Sequence, residues 1–108
     1  MIILYHNPRC SKSRSALQLV EQYADQHQLT VQVVEYLKNG LTEAELRSLQ
    51  EQLGEQSEQL VREREGLSAE QQRKVLLAQP ELLQRPIICY GGRAVIGRPT
   101  ELIHTLLV

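Results

Sequence analysis

The chain contains no phenylalanine and no tryptophan, and four tyrosines are its whole aromatic supply, so its core has to be built from leucine, isoleucine and valine. Cysteine is nearly as scarce. Cys10 and Cys89 are the only two, too few for the disulfide framework of a small secreted domain, and their spacing matches no zinc motif. The three histidines are scattered and add no ligand spacing, so no metal site is expected. No apolar stretch approaches the roughly twenty residues needed to span a bilayer. The opening MIILYHNPRC lacks a basic segment ahead of a long apolar run, so it does not read as a signal peptide. The reading is cytoplasmic, with no membrane partner. A net charge of -1 excludes a general attraction to nucleic acid or anionic membrane. Repeats, low-complexity tracts and linkers are also missing, and 108 residues suit one domain, 1–108, with one core.

What the chain does have is an uneven distribution of charge. Arg9, Lys12 and Arg14 precede the first acidic residue, Glu21, whereas the stretch from Glu43 to Lys74 leans acidic. Positive charge gathered around one short loop suits a small anion better than a polymer, although three cations near a terminus are also compatible with a plain surface.

Periodicity supplies the architecture. Residues 1–5, MIILY, read as a buried strand, and Asn7-Pro8 marks a turn. From Ser11 the pattern is helical, with Ala16, Leu17, Val20, Tyr23 and Ala24 on one face, fading near His27. Residues 30–36, TVQVVEY, read as a second strand, which makes a βαβ unit with parallel strands. Thr42 with Glu45 forms a capping box ahead of Leu46, Leu49 and Leu53, and Gly54 stops that helix. Residues 57–64 suit another short helix. Ser68 with Gln71 is a second capping box, leading to Val75, Leu76 and Ala78 before Pro80. Residues 86–89 and 93–96 read as paired strands joined by a tight turn at Gly91-Gly92. Pro99 suits the first position of a last helix that packs Leu102, Ile103, Leu106 and Leu107. The result is an α/β chain, β-α-β then β-β-α in a mixed four-stranded sheet, with a helical insertion at roughly 39–83. That is the thioredoxin-like layout.

The chemistry concentrates in the loop after the first strand. A strand feeding a turn and a helix leaves the first backbone N–H groups of the helix unpaired, and with the helix dipole they form an anion site. Cys10 stands at its mouth, immediately before Ser11, with His6, Arg9, Lys12 and Arg14 close by. Such surroundings stabilise a thiolate and raise the reactive fraction of the thiol. A free cysteine is otherwise a small apolar filler, but Cys10 falls in a polar, cationic loop. Cys89 ends an apolar strand and reads as buried and inert, a resolving role being the other possibility. Ser13 stands where a dithiol motif places its second cysteine, so Cys10 depends on an external thiol.

On HNPRCSKSR at 6–14, VEYLK at 34–38, RPIIC at 85–89 and GRAVIGRP at 92–99, the chain resembles the glutaredoxin-coupled arsenate reductases over nearly its whole length. The resemblance implies that Cys10 attacks the arsenic of bound arsenate to form a thiol-arsenate adduct. Glutathione then attacks the adduct and glutaredoxin completes reduction to arsenite, with no bound cofactor. A monomer is the expectation, though the residues themselves do not set the oligomeric state. It further implies that His6 favours the thiolate and that three arginines bind the oxyanion, matching Arg85, Arg98 and, within LVRERE, Arg62. Ser11, Lys12, Ser13 and Arg14 complete the implied binding set, and Pro86 takes the place of the cis proline beside the cysteine. A guanidinium fork pairs well with tetrahedral oxyanion oxygens.

Each of these residues also has a plainer reading. Arg85 and Arg98 both precede proline and suit exposed extended turns; Arg64 competes with Arg62, and here the family's longer connection is cut to Gly66-Leu67. His6 also suits a loop-shaping donor, and His27 and His104 read as surface or packing residues. Two other functions share the motif. A monothiol glutaredoxin-like oxidoreductase fits C-x-x-S but leaves Arg85 and Arg98 surplus. A redox regulator binding RNA polymerase acts by protein contact, and Ser13 removes the second cysteine of its switch.

Overall fold

A computed structural model describes residues 1–107. Four strands form one sheet in the order β2-β1-β3-β4, with β1 at Ile2–Tyr5, β2 at Val31–Val34, β3 at Ile87–Tyr90 and β4 at Arg93–Ile96. β1 and β2 are parallel, as a strand-helix-strand crossover requires. β3 lies antiparallel to both β1 and β4. Gly91 and Gly92 close the β3–β4 hairpin with φ of 61° and 79°, the left-handed pair that a two-residue hairpin turn demands.

Strand alternation sorts the apolar residues onto two faces. Ile2, Leu4 and Ile88 point to a core completed by Ala16, Val20 and Ala24 of α1 (Ser11–His27) and by Ile103, Leu106 and Leu107 at the C-terminal end. Tyr5, Ile87, Cys89, Ala94 and Ile96 point to the other face, roofed by the segments between β2 and β3. Those segments are α2 (Tyr36–Asn39), α3 (Glu43–Leu53) and α4 (Ala69–Ala78), with 3-10 turns at Gly54–Gln59 and Pro80–Leu82. Both capping boxes are formed: Thr42 Oγ1 accepts from the Glu45 N–H and Ser68 Oγ from the Gln71 N–H, each at 3.1 Å.

Three local expectations are corrected. β2 ends at Val34, because Tyr36 turns inward to be fully buried and starts α2. Residues 57–64 do not form a helix: Leu60 and Val61 are adjacent and both buried, which one helical face does not favour. After the 3-10 turn Val61 forms an isolated antiparallel bridge with Leu83, with Arg62 N–H donating to Leu82 O (2.7 Å) and Gln84 N–H to Leu60 O (2.8 Å). The last helix, α5, spans Leu102–Leu106 rather than starting at Pro99. The preceding turn is of 3-10 type, with the Leu102, Ile103 and His104 N–H groups each donating three residues back. In α4 the buried side chains are Gln72 and Leu76, whereas Ala78 is exposed.

Candidate active site

The strand register brings distant parts of the chain to one end of the sheet. Tyr5 is opposite Val34 on β2 and Ile87 on β3, and Ile87 is opposite Ile96 on β4. The Cys10 loop leaves β1 at this end, Tyr36 follows β2, Arg85 precedes β3 and Arg98 follows β4. The sheet therefore gathers these four residues although up to 88 positions separate them.

The loop is fixed by backbone hydrogen bonds that one asparagine organises. Asn7 O accepts from the Cys10 N–H (3.0 Å), Asn7 Oδ1 accepts from the Arg9 N–H (3.0 Å), and the Asn7 N–H donates to Ser13 Oγ (3.0 Å). His6 Nδ1 lies 2.7 Å from the same Ser13 hydroxyl, and both side chains are buried. Burial is the main influence holding His6 below the ordinary imidazole pKa, with Arg14 acting the same way and Glu35 and Glu21 opposing. A neutral ring can accept the Ser13 hydroxyl proton while the Asn7 N–H occupies an oxygen lone pair. Ser13 thus faces His6 and the loop backbone with its side chain. Arg14 Nη1 donates to Pro8 O (2.9 Å) and braces the turn from outside. Ser11, Lys12 and Arg9 have exposed side chains.

Cys10 is the N-cap of α1 and half-buried. Its sulfur makes no short cap hydrogen bond, yet its thiol pKa lies below the ordinary value. Burial pushes it up, and this is outweighed by the Ser13 N–H, the Arg85 guanidinium and the Lys12 N–H. The helix N-terminus therefore acts on the sulfur through the backbone of Lys12 and Ser13. Arg98 Nη2 stands 3.9 Å from Cys10 Sγ, while its Nε donates to Arg85 O, which ties the two arginine loops together. That tie depends on a close approach at Gly97, whose N–H donates to Pro86 O (2.8 Å). A Cβ there would meet Ile103 at 3.1 Å and Pro86 at 3.2 Å. The Arg85-Pro86 bond is cis, and so is Arg98-Pro99, which the sequence reading did not anticipate.

Arg85 has two buried nitrogens, Nε and Nη1, without a hydrogen-bond partner among the described residues. The pairing of residues 60–62 with 82–84 sets Arg62 beside the segment that leads to Arg85, and its charge acts on Tyr36 together with Cys10, Arg85 and Arg98. Arg64 is exposed and lines a surface pocket with Val61, Gln84 and the acidic Glu58, Glu63 and Glu65. Cys89 is buried on β3 and its thiol is pushed up to about 11 by burial. His27 and His104 are exposed. Among the described residues no three His, Cys, Asp or Glu side chains converge as a metal site, and no helix is long and apolar enough to cross a membrane.

Two residues at this end escaped the sequence reading. Gly97 was visible only as part of a motif. Tyr36, inside VEYLK, reads from sequence as the end of a strand, and between Glu35 and Leu37 nothing local marks it as buried. Helix N-terminus, thiol and arginines on this sheet define a protein of the thioredoxin-like class. More narrowly, the chain belongs to the ArsC family, whose profile matches residues 5–106. It is 33% identical over 118 residues to an arsenate reductase of Neisseria meningitidis, covering 98% of this chain and 97% of that one. It is 37% identical over 110 residues to the uncharacterized protein YfgD of Escherichia coli (strain K12), covering 91% and 89%. The solved arsenate reductase from Vibrio cholerae superposes with a TM-score of 0.79 at 30% identity, covering 97% of this chain and 96% of that one.

Proposed function

We propose that this chain is a thiol-dependent arsenate reductase with Cys10 as its nucleophile. The observation that carries the reading is a thiol of lowered pKa at a helix N-terminus, flanked by Arg98 at 3.9 Å and by an Arg85 guanidinium with two unpaired buried nitrogens. Buried donors without acceptors suit an anionic ligand, because an unpaired buried polar group is costly to keep.

Arsenate sits against Arg85, Arg98 and Arg62, and the Cys10 thiolate forms an S–As bond as one arsenate oxygen leaves as water. Fixed guanidinium and N–H donors hold the charge that develops, without solvent having to reorganise. Reduction from As(V) to As(III) takes two electrons. With Cys89 buried and Ser13 in place of a second thiol, external thiols supply them: glutathione attacks the adduct and a glutaredoxin thiol takes the glutathione sulfur. Overall, arsenate and two thiols give arsenite, one disulfide and water. His6 serves as a positioning residue, holding Ser13 so that its N–H addresses the sulfur, while Arg14 and Lys12 support the loop.

The test is arsenate-dependent NADPH consumption with glutathione, glutaredoxin and glutathione reductase supplied. Turnover is expected in the wild type, and its loss is expected in Cys10→Ser and on omitting glutaredoxin. Unchanged turnover with thioredoxin in place of glutaredoxin would reassign the reductant; no turnover at millimolar arsenate would remove the substrate.

A further inference from the structure

Tyr36 is the one tyrosine with no exposed surface, and its hydroxyl has no hydrogen-bond partner among the described residues. Packing alone does not account for that oxygen. Phenylalanine would fill nearly the same volume, and a buried phenol normally finds a partner. The residue stands two positions after β2, at the end of the sheet where the Cys10 loop, Arg85 and Arg98 meet. It shares a core cluster with Val61, Leu83 and Ile87, which flank Arg62 and Arg85 in sequence. Burial raises the phenol pKa, and the charges acting on it are those of Arg85, Cys10, Arg62 and Arg98. The hydroxyl therefore stays protonated at neutral pH and has a proton to donate. Arg85 Nε and Nη1 are two further buried donors without acceptors at the same end. A tetrahedral oxyanion offers only acceptors, and one such ligand can satisfy several donors together.

We infer that Tyr36 is a further ligand of the anion held before Cys10, its hydroxyl donating to an anion oxygen beside Arg85. The inference rests on the reading of the site as an oxyanion site, though not on arsenate being the anion or on its reduction. Tyr36 supplies direction rather than charge. Its neutral donor addresses one acceptor oxygen at a fixed point without adding charge, whereas each guanidinium brings a positive charge along with its fork of donors.

The experiment follows alkylation of Cys10 by iodoacetamide in buffer free of phosphate and sulfate, read by intact mass, as inorganic phosphate is added. Phosphate is tetrahedral like arsenate and is not reduced by thiols. Phosphate is expected to protect wild-type Cys10. Tyr36→Phe is expected to need about tenfold more phosphate for half-protection, the loss of one charge-assisted hydrogen bond. Without anion the variant is expected to be alkylated with the wild-type pH midpoint and to melt at or above the wild-type temperature, because it has shed an unpaired buried hydroxyl. Equal protection in both proteins would overturn the inference, as would absence of protection in the wild type. A raised pH midpoint would assign the hydroxyl to the thiolate, and a lowered melting temperature would assign it to the fold; either result overturns it too. Tyr36-sensitive protection in a protein that forms no arsenite would leave the inference standing and reject the reductase reading alone.

Discussion

At the scale of single residues, opposed effects set the state of the Cys10 thiol. Half-burial favours the neutral thiol, while the Ser13 and Lys12 N–H groups and Arg85 favour the thiolate, and the second set prevails. Alkylation by iodoacetamide follows the thiolate, so its rate is expected to climb with pH about a midpoint below that of an ordinary thiol. One label per native chain is expected at neutral pH, since Cys89 is buried with its thiol pushed up to about 11. Arg85→Ala removes a lowering influence and leaves burial in place, so the midpoint should move up. An unmoved midpoint, or a second fast label on Cys89, would contradict this assignment. Cys10 and its cationic loop were legible from local sequence, because their chemistry lies within nine residues. Where the Ser13 side chain goes was not: it depends on His6 turning inward from the end of β1, a tertiary fact that no residue spacing encodes.

Among the elements, the long helices were readable because their caps and apolar faces are local properties. Thr42 and Glu45 close a complete box, the Thr42 N–H also donating to Glu45 Oε1 at 2.9 Å. Thr42→Ala is expected to cost about 1 kcal/mol, read as a lower urea midpoint with an unchanged slope. Arsenate turnover should stay at the wild-type level, because this cap secures the roof of the sheet and does not touch the site. The pieces that were misread are short ones whose conformation follows tertiary burial. Val61 forms a bridge with Leu83, flanked by two backbone hydrogen bonds, and that pairing places Arg62 beside the segment leading to Arg85. Tyr36 leaves the strand for the core in the same way. Neither outcome shows in periodicity over four or five residues, where helix, strand and turn look alike.

For the whole molecule, the sheet does what no segment does alone. One parallel and two antiparallel pairings bring the C-terminal ends of β1, β2 and β4 and the N-terminal end of β3 together, so each contributes a site residue from its adjoining loop. The parallel β1–β2 pair and the β3–β4 hairpin were legible from the βαβ pattern and the Gly91-Gly92 turn. The convergence of Arg85 and Arg98 on Cys10 was not, since it depends on register and on the Gly97 approach to Pro86; it was expected only from the resemblance to a family. The central claim is that this convergence makes Cys10 a nucleophile toward arsenate. Its most direct test is arsenic speciation after incubating arsenate, glutathione and glutaredoxin with wild-type protein or Cys10→Ser. Arsenite accumulating in proportion to wild-type protein, and falling to the protein-free background in Cys10→Ser, is the expected result. Arsenite formed equally by both proteins, or by neither above background, would contradict the claim.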